Sequence, residues 1–346
     1  MHILFDAHPI TDTPTGIGRY CYNLINQFQK QMPKGSKISL YQHKGQEHIF
    51  PKLNKFVFPI KNGLARSLVG FNMAIKKIKP DIIHSTTLAP FSKNIPQVIS
   101  VHDICFHTHP NKYPLKTLIA FKLLFNKSIQ QADAIICPSN TVKRNLHKHF
   151  DIDQNKVYVT YDAPDKLFLQ PPTKNKINQS LIKHNLNKPF FLVVGDKHNR
   201  KESEIIIAAF NKSQKSQTLA QLVFVGPHKK NYSKTIIHTG FISNQELSSL
   251  YHSAQGLIFN SVCEGYGLPI VEALSANCPV ICSDIPTFKE LFDKRCKYYS
   301  TQKQLQNHMK LLLSNQYPKP HSNTLNHTWE KTTKDTIKIY QKLFQN

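Results

Sequence analysis

The sequence predicts an α/β fold of two doubly wound domains, each a parallel sheet covered by helices. Three observations predict it. Nine short runs rich in β-branched and aromatic residues read as strands, and their near-continuous apolar character suits strands buried on both faces. Longer stretches of helical pattern lie between them, at 17–30, 112–131, 140–149 and 244–254. The length of 346 residues exceeds the ~150 expected of one core, and 40% hydrophobic residues are enough to bury two.

The elements follow in order. "HILFDA" opens the chain, and "DIIHST", "VISVHD", "AIICPS" and "VYVTY" continue the first sheet. A stretch rich in Pro, Asn and Lys then runs from Asp162 to Lys188 and marks the domain boundary. "FFLVVGD", "QLVFVG", "GLIFNS" and "PVICSD" form a second sheet. We place the first domain at 1–168 and the second at 169–328. A polar segment, 315–327, precedes a last helix, "WEKTTKDTIKIYQKLF", in 329–346, which joins the first domain. No repeat of solenoid period is visible.

Composition narrows the function. Charged residues at 19% and 12 glycines argue against a disordered or collagen-like chain. The formal charge of +24 favours anionic partners: nucleic acid, lipid headgroups or phosphorylated small molecules. The lysines are scattered, with no zinc finger, RNA-recognition signature or Arg-rich arm, so nucleic acid is not the expected partner. Seven cysteines is an odd number, and Cys21, Cys137, Cys263, Cys278 and Cys282 sit in apolar runs. They read as reduced core thiols of a cytoplasmic protein. "MHILFDAHPI" reaches Asp6 at once, unlike a signal peptide, and no apolar run reaches the ~18 residues of a membrane span.

Ligands of open parallel sheets bind at the carboxyl ends of the strands, and two such domains facing each other make a cleft there. Gly16 and Gly18 follow the first strand and precede a helix. The third glycine of a dinucleotide fingerprint is replaced by Cys21, and eight residues separate Ala7 from Gly16, so a nicotinamide or flavin site is not expected. The pair is either a plain turn or a loop that brings backbone N–H groups to a phosphate or sugar. After the strand "VISV" come His102 and Asp103, either a structural pair or an imidazole offered to a substrate hydroxyl. Arg200 and Lys201 precede a helical pattern, either as solvated charges or as a diphosphate site on a helix N-terminus.

The stretch "CEGYGLPIVEALSANCPV" (263–280) is the most specific. Pro269 fits the first helical position, and Gly265 and Gly267 leave the preceding backbone open to a ligand. Glu264 in that loop and Glu272 in the first turns of the helix can accept hydrogen bonds from paired hydroxyls. A sugar, a diphosphate and a ribose would satisfy this arrangement in line.

Together these residues resemble the retaining glycosyltransferases of family 4, which have the GT-B fold. The E-x7-E pair of Glu264 and Glu272 in "NSVCEGYGLPIVEALSANCPVICSD" is similar to the family signature, and so are "GIGRY", "SVHDICF", "ADAIICPSNTVKRNL", "VVGDKHNRKE" and "TGFISNQELSSLYHSAQGLIFNS". The likeness covers essentially the whole chain, and "FDAHPITDTPTGIGRYCYNL" looks most like the mannosyltransferase branch of bacterial polysaccharide synthesis. The resemblance implies that the first domain binds the acceptor and the second the nucleotide sugar, GDP-mannose or a UDP-sugar. Glu264 and His102 would attend the transferred sugar and Glu272 the ribose. Arg200, Lys201 and backbone N–H groups near Gly16, Gly18 and Gly265–Tyr266–Gly267–Leu268 would bind the diphosphate. No metal or further cofactor is implied, because the leaving phosphate helps to deprotonate the acceptor. Two positions depart from the family pattern: Asp196 stands where an Arg or a small residue is usual, and Asn277 where Gly is usual. Asn tolerates the left-handed helix cap that Gly serves.

Other readings leave different marks. A phosphorylase-like enzyme of the same fold needs a longer chain or a cofactor lysine. A non-catalytic sugar-nucleotide-binding protein would lack Glu264 or His102. Basic amphipathic patterns at 61–79, with Leu64, Leu68, Phe71 and Ile75, and at 111–127 suit either helices packed on the first sheet or a peripheral contact with the inner face of a membrane.

Overall fold

The computed structural model describes residues 1–12, 15–60, 65–86, 88–90, 94–195, 200–214, 220–227, 233–314 and 326–345, without the side chains of 116, 117, 120 and 200–202. The chain divides into two compact domains, Met1–Asp162 with Thr328–Asn346, and Ala163–His327. The first contains strands β1 (His2–Asp6), β2 (Lys37–His43), β3 (Asn54–Phe58), β4 (Ile82–Thr86), β5 (Gln97–Ser100), β6 (Ala134–Cys137) and β7 (Val157–Val159). Its helices are α1 (Gly16–Gln31), α2 (Phe71–Ile78), α3 (Cys105–Thr108), α4 (Leu115–Gln131) and α5 (Asn140–His149). The second contains β8 (Phe190–Val194), β9 (Gln221–Val225), β10 (Ile236–Gly240), β11 (Gly256–Phe259), β12 (Val280–Ser283) and β13 (Lys297–Tyr299). Its helices are α6 (Lys166–Leu169), α7 (Lys174–Lys183), α8 (Arg200–Ser213), α9 (Asn244–Ser253), α10 (Leu268–Ser275), α11 (Pro286–Phe292) and α12 (Gln302–Leu313). The last helix, α13 (Trp329–Gln345), belongs to the first domain.

Among the described residues the sheets run β3-β2-β1-β4-β5-β6-β7 and β10-β9-β8-β11-β12-β13, with parallel pairing throughout. This is the two-domain, Rossmann-like architecture expected of GT-B. Each sheet winds outward in one direction and then returns to the other side of its first strand. The return creates a topological switch point, between β1 and β4 in the first sheet and between β8 and β11 in the second. Parallel strands leave all carboxyl ends on one edge, so each domain has one edge where ligand chemistry can gather.

All nine expected strands are present. The sequence reading missed β2, β3, β10 and β13. Three of these close the edges of their sheets, where one side is unpaired and polar residues interrupt the apolar run. In β2, Ser39 and Gln42 are buried despite their polarity, which broke the pattern.

The expected boundary after residue 168 lies instead after Asp162. The reason is α6: Phe168 is buried and meets Tyr251 of α9 edge-on at 5.8 Å, and Ser248 Oγ donates to the Leu167 carbonyl at 3.4 Å. That short helix is therefore packed into the second domain. At the other end Thr328 joins the first domain, one residue before the expected start of the returning helix. Helix α13 buries Trp329, Thr336, Ile337 and Tyr340, and it packs beside α1, which buries Tyr20, Cys21, Leu24, Ile25 and Phe28 at helical spacing.

Local signals fix the helix ends. Ser139 Oγ accepts from the Val142 amide to cap α5, and Ser243 with Glu246 forms a capping box on α9. Cys21, Cys137, Cys278, Cys282 and Cys296 are buried and free. Cys263 is no core thiol; it is only partly buried, in the loop before α10.

Candidate functional site

In the second domain, β11 ends at Phe259 and the chain passes through Asn260 and Ser261 toward Glu264. Hydroxyls on the neighbouring strand and helix set that path. Ser283 Oγ, at the end of β12, accepts from the Ser261 amide at 2.9 Å and donates to Asn260 Oδ1 at 2.8 Å. Thr287 Oγ1 of α11 donates to the Glu264 carbonyl at 2.7 Å. Ser261 Oγ donates to the Cys263 carbonyl at 3.0 Å. The loop that leads to Glu264 is thus tied to β12 and the Glu264 carbonyl to α11, while the Glu264 side chain stays partly exposed.

Gly267 caps α10 at φ 105°, ψ 57°, a left-handed conformation that favours glycine. A Cβ there would also stand 3.0 Å from the Phe288 ring. Leu268 is the first helical residue and Pro269 the second, one position later than the sequence suggested, where a missing N–H still costs nothing. Tyr266 is buried, with its hydroxyl 2.8 Å from His327 Nδ1, so that residue can offer a ligand backbone but not its ring. Glu272 is 2% exposed, and Tyr251 Oη donates to its Oε2 at 3.3 Å, which fixes the carboxylate on the inner face of α10. Asn277 caps the far end at φ 55°, the left-handed conformation expected of it.

Across the switch point, β8 ends at Val194 and α8 begins at Arg200. Arg200 and Lys201 are its first two residues; their side chains, and Asp196, lie outside the described residues. Gly226 at φ 131° lies so close to Gly195 that a Cβ would come within 2.2 Å of the Gly195 carbonyl, so the ends of β8 and β9 carry bare backbone. The carboxyl edge of this one sheet therefore gathers Arg200, Lys201, Glu264, Gly265, Tyr266, Gly267, Leu268 and Glu272. Two helix N-termini point their dipoles at that edge, where anionic groups are stabilised.

The first domain carries the other expected residues. Gly16 and Gly18 lie within the first turn of α1 rather than in a loop before it, and Gly18 is buried. His102 follows the end of β5. Its ring meets Tyr20 edge-on at 4.6 Å, and Nε2 is shielded with no hydrogen-bond partner among the described residues. Burial lowers its pKa to about 4, so the imidazole is neutral at physiological pH. Asp103 is not its partner: Asp103 Oδ1 accepts from the Cys105 amide at 2.8 Å and starts α3. His102 shares a narrow crevice with Tyr20, Ser100, Thr160 and Asp162. Burial raises the Asp162 carboxyl to about 7.

The first switch point is filled. Asp6, at the end of β1, is fully buried and accepts from Arg66 Nη1 at 2.7 Å and from Thr86 Oγ1 at 3.1 Å, with His8 Nδ1 2.7 Å from its other oxygen. Burial alone would raise its pKa, but Arg66 and His8 outweigh burial and hold it well below the usual carboxylate range. Arg66 comes from a π-helical segment, Arg66–Gly70, that runs into α2. Tyr41 Oη donates to the Arg66 carbonyl at 3.3 Å, and a Cβ on Gly70 would lie 2.0 Å from that hydroxyl, so glycine is required where the tyrosine enters the helix.

Two surface stripes also bear on partners. On α4, Leu115, Ile119 and Leu123 are exposed at a spacing of four, bordered by exposed Lys122 and Lys127. Beside α2, Leu68, Val69 and Met73 are exposed, whereas the expected anchor Phe71 is buried against Tyr41 and Leu64 lies outside the described residues. The 61–79 pattern is thus mainly a sheet-packing face. No described helix is long and apolar enough to cross a membrane.

Several residues around the candidate sites of the two domains went unread in the sequence: Ser283, Thr287 and Tyr251 in the second domain, and Tyr20, Thr160 and Asp162 in the first. Ser283 was findable, since it ends a strand adjacent to the one that leads to Glu264.

Comparison with known proteins bears on the family and the fold. Residues 14–165 match the model "Glycosyltransferase Family 4", and residues 174–334 match "Glycosyl transferases group 1". The chain is 29% identical to the O-antigen chain mannosyltransferase RfbU of Salmonella typhimurium over 58% of this chain and 56% of that protein. It is 26% identical to the serotype-specific mannosyltransferase WbdA of Escherichia coli over 84% of this chain and 39% of that protein. The aligned part thus spans about half or less of these relatives. The fold is similar to that of Anabaena Alr3699/HepE, solved in complex with UDP and glucose, at a TM-score of 0.71 and 14% identity, covering 100% of both chains. The chain belongs to the GT-B glycosyltransferases, with a family 4 domain followed by a group 1 domain.

Proposed function

We propose that the protein is a retaining hexosyltransferase that moves mannose from GDP-mannose to a glycan or lipid-linked acceptor in the synthesis of a cell-surface polysaccharide. The observation that carries this reading is the second switch point, where Glu264 precedes a glycine-capped helix that holds Glu272, and a second helix at the same sheet edge begins with Arg200 and Lys201. The names of the relatives from Salmonella and Escherichia coli support mannose and polysaccharide. The UDP in the Anabaena structure makes a UDP-sugar the alternative donor.

In this reading Glu272 accepts from the ribose hydroxyls and Glu264 from hydroxyls of the hexose. Arg200, Lys201 and the first N–H groups of α8 and α10 neutralise the diphosphate. The bond from the sugar C1 to the diphosphate oxygen breaks, and the acceptor oxygen bonds to C1 on the same face. The acceptor proton passes to the leaving phosphate. His102, neutral at physiological pH, takes part by hydrogen-bonding a sugar hydroxyl. Two cations and two helix dipoles fill the role a divalent metal would have, so turnover is metal-independent.

The first domain binds the acceptor. The α4 stripe, with lysines on its borders, fits an anionic lipid surface, where each Lys contributes ~1 kcal/mol. The protein would then work peripherally on the cytoplasmic face of a membrane. Sedimentation with anionic and neutral vesicles at low salt tests this part, and no pelleting with anionic vesicles overturns it.

The activity itself is tested with a panel of GDP-mannose and UDP-sugars, with and without chelator, followed by the anomeric configuration of the product. Transfer with retention in chelator supports the reading. Inversion, or activity restored only by magnesium or manganese, overturns the corresponding part.

A further inference from the structure

A file of four buried polar side chains crosses the first domain behind His102. Tyr340 Oη, on α13, is hydrogen-bonded to His84 Nδ1 on β4. The other ring nitrogen, His84 Nε2, lies 2.7 Å from Ser100 Oγ on β5. Ser100 Oγ lies 2.8 Å from Tyr20 Oη on α1. The Tyr20 ring then meets the His102 imidazole edge-on. All four side chains are essentially inaccessible to water. Trp329, also on α13, meets the other side of the file, with its ring 6.1 Å from Tyr20.

Such a file is a poor way to gain stability alone. Apolar side chains of the same shape can serve a core equally well, because both partners of each bond must first leave water. A fully satisfied polar chain does something else: it allows one arrangement and penalises every other. Two side chains that meet its Tyr20 end have a shielded nitrogen without a partner among the described residues, His102 through Nε2 and Trp329 through Nε1, and of the two only the imidazole has a second ring nitrogen. With Nε2 of His102 shielded from solvent, Nδ1 is the nitrogen left for a ligand.

We propose that Tyr340, His84, Ser100 and Tyr20 form a positioning device for His102. The file fixes the Tyr20 ring, the Tyr20 ring fixes the plane of the imidazole, and Nδ1 is thereby aimed at a hydroxyl of the transferred sugar. The last helix, distant from His102 in sequence, thus acts on turnover through Tyr340. This rests on His102 meeting the sugar, as proposed above.

Tyr340→Phe and Ser100→Ala each remove one oxygen from the file. Nucleoside diphosphate release from GDP-mannose and UDP-glucose is measured for each variant, alone and combined with His102→Ala. Each single variant is expected to lower kcat about 3- to 10-fold, the loss typical of one hydrogen bond, with the donor KM within about twofold. In the His102→Ala background neither is expected to lower kcat further, because contributions that pass through one residue do not add. The ring signals of His102 in nuclear magnetic resonance, assigned by their loss in His102→Gln, are expected to shift in Tyr340→Phe without any donor present. Wild-type kcat in both single variants, or an unmoved His102 signal, overturns the positioning role. An enzyme that turns over neither donor, or that tolerates His102→Ala, overturns the sugar-contact reading instead, and the ring signals still decide the positioning.

Discussion

The two switch points use the same topology in opposite ways. In the first domain the crevice between β1 and β4 is closed by a buried carboxylate, Asp6, whose oxygens are taken by Arg66, His8 and Thr86. In the second, the crevice between β8 and β11 is edged by Gly195 after β8 and by the glycine-capped start of α10 after β11. One site spends its charge on the fold, and the other keeps bare backbone and the partly exposed Glu264 at the sheet edge, with Glu272 buried behind them. The difference teaches that a strand-end acid is informative only with its partners. Asp6 and Glu264 both follow apolar strands, yet Asp6 is locked to its own domain.

The comparison breaks most sharply at Glu264. Glu264→Ala is expected to abolish transfer while the melting temperature stays within a few degrees, since the side chain is partly exposed. Turnover by the donor panel and a thermal melt check both halves, and wild-type turnover would remove Glu264 from the site.

At the first switch point the loss should be one of folding. Arg66→Ala leaves Asp6 buried without its cation, a change that costs about 3–5 kcal/mol. Hydrogen exchange is expected to lose protection in β1 and β4 and to keep it in β8 and β11. The pH dependence has a definite sign. The folded pKa of Asp6 is depressed, so its stabilisation is complete above the unfolded carboxyl value of about 4. It is lost as pH falls below that toward the folded value. Acid titration should therefore destabilise wild type more than Arg66→Ala.

A smaller effect is expected from Lys201→Ala. A hydrogen bond to a charged group contributes roughly 1.5–3 kcal/mol, so nucleoside diphosphates should bind about 10- to 150-fold more weakly. Binding of the bare nucleoside should barely change. An equal loss for both, measured by calorimetry, would place Lys201 away from the diphosphate. The smallest is Gly267→Ala, where a left-handed φ costs a Cβ about 1–2 kcal/mol. Stability should fall by that amount, and a neutral result in a chemical melt would mean that α10 can begin differently.

Much of this was legible in the chain. The nine buried strands announced themselves because parallel strands covered on both faces are apolar without interruption. The second site was legible because Glu264, Gly267, Pro269 and Glu272 lie within one loop and one helix. The first domain was harder to read, since Asp6, Arg66 and Thr86 meet only through sheet winding and a π-helical turn. Likewise the partner of His84, Tyr340 of α13, lies 256 residues away and is brought to it only by the fold. Three of the four edge strands, β3, β10 and β13, were missed because one of their sides is unpaired and polar residues interrupt them, and Ser283 and Thr287 because their partners lie in a loop that only the fold brings to them.

The most direct test is whether the second switch point holds the donor. Calorimetry with GDP-mannose and UDP-glucose on wild type and Glu272→Gln measures it without an acceptor. One of the two nucleotide sugars is expected to bind wild type and to bind Glu272→Gln about 10- to 150-fold more weakly, the loss of a charged hydrogen bond. Equal binding by the variant, or no binding of either donor to wild type, would contradict it.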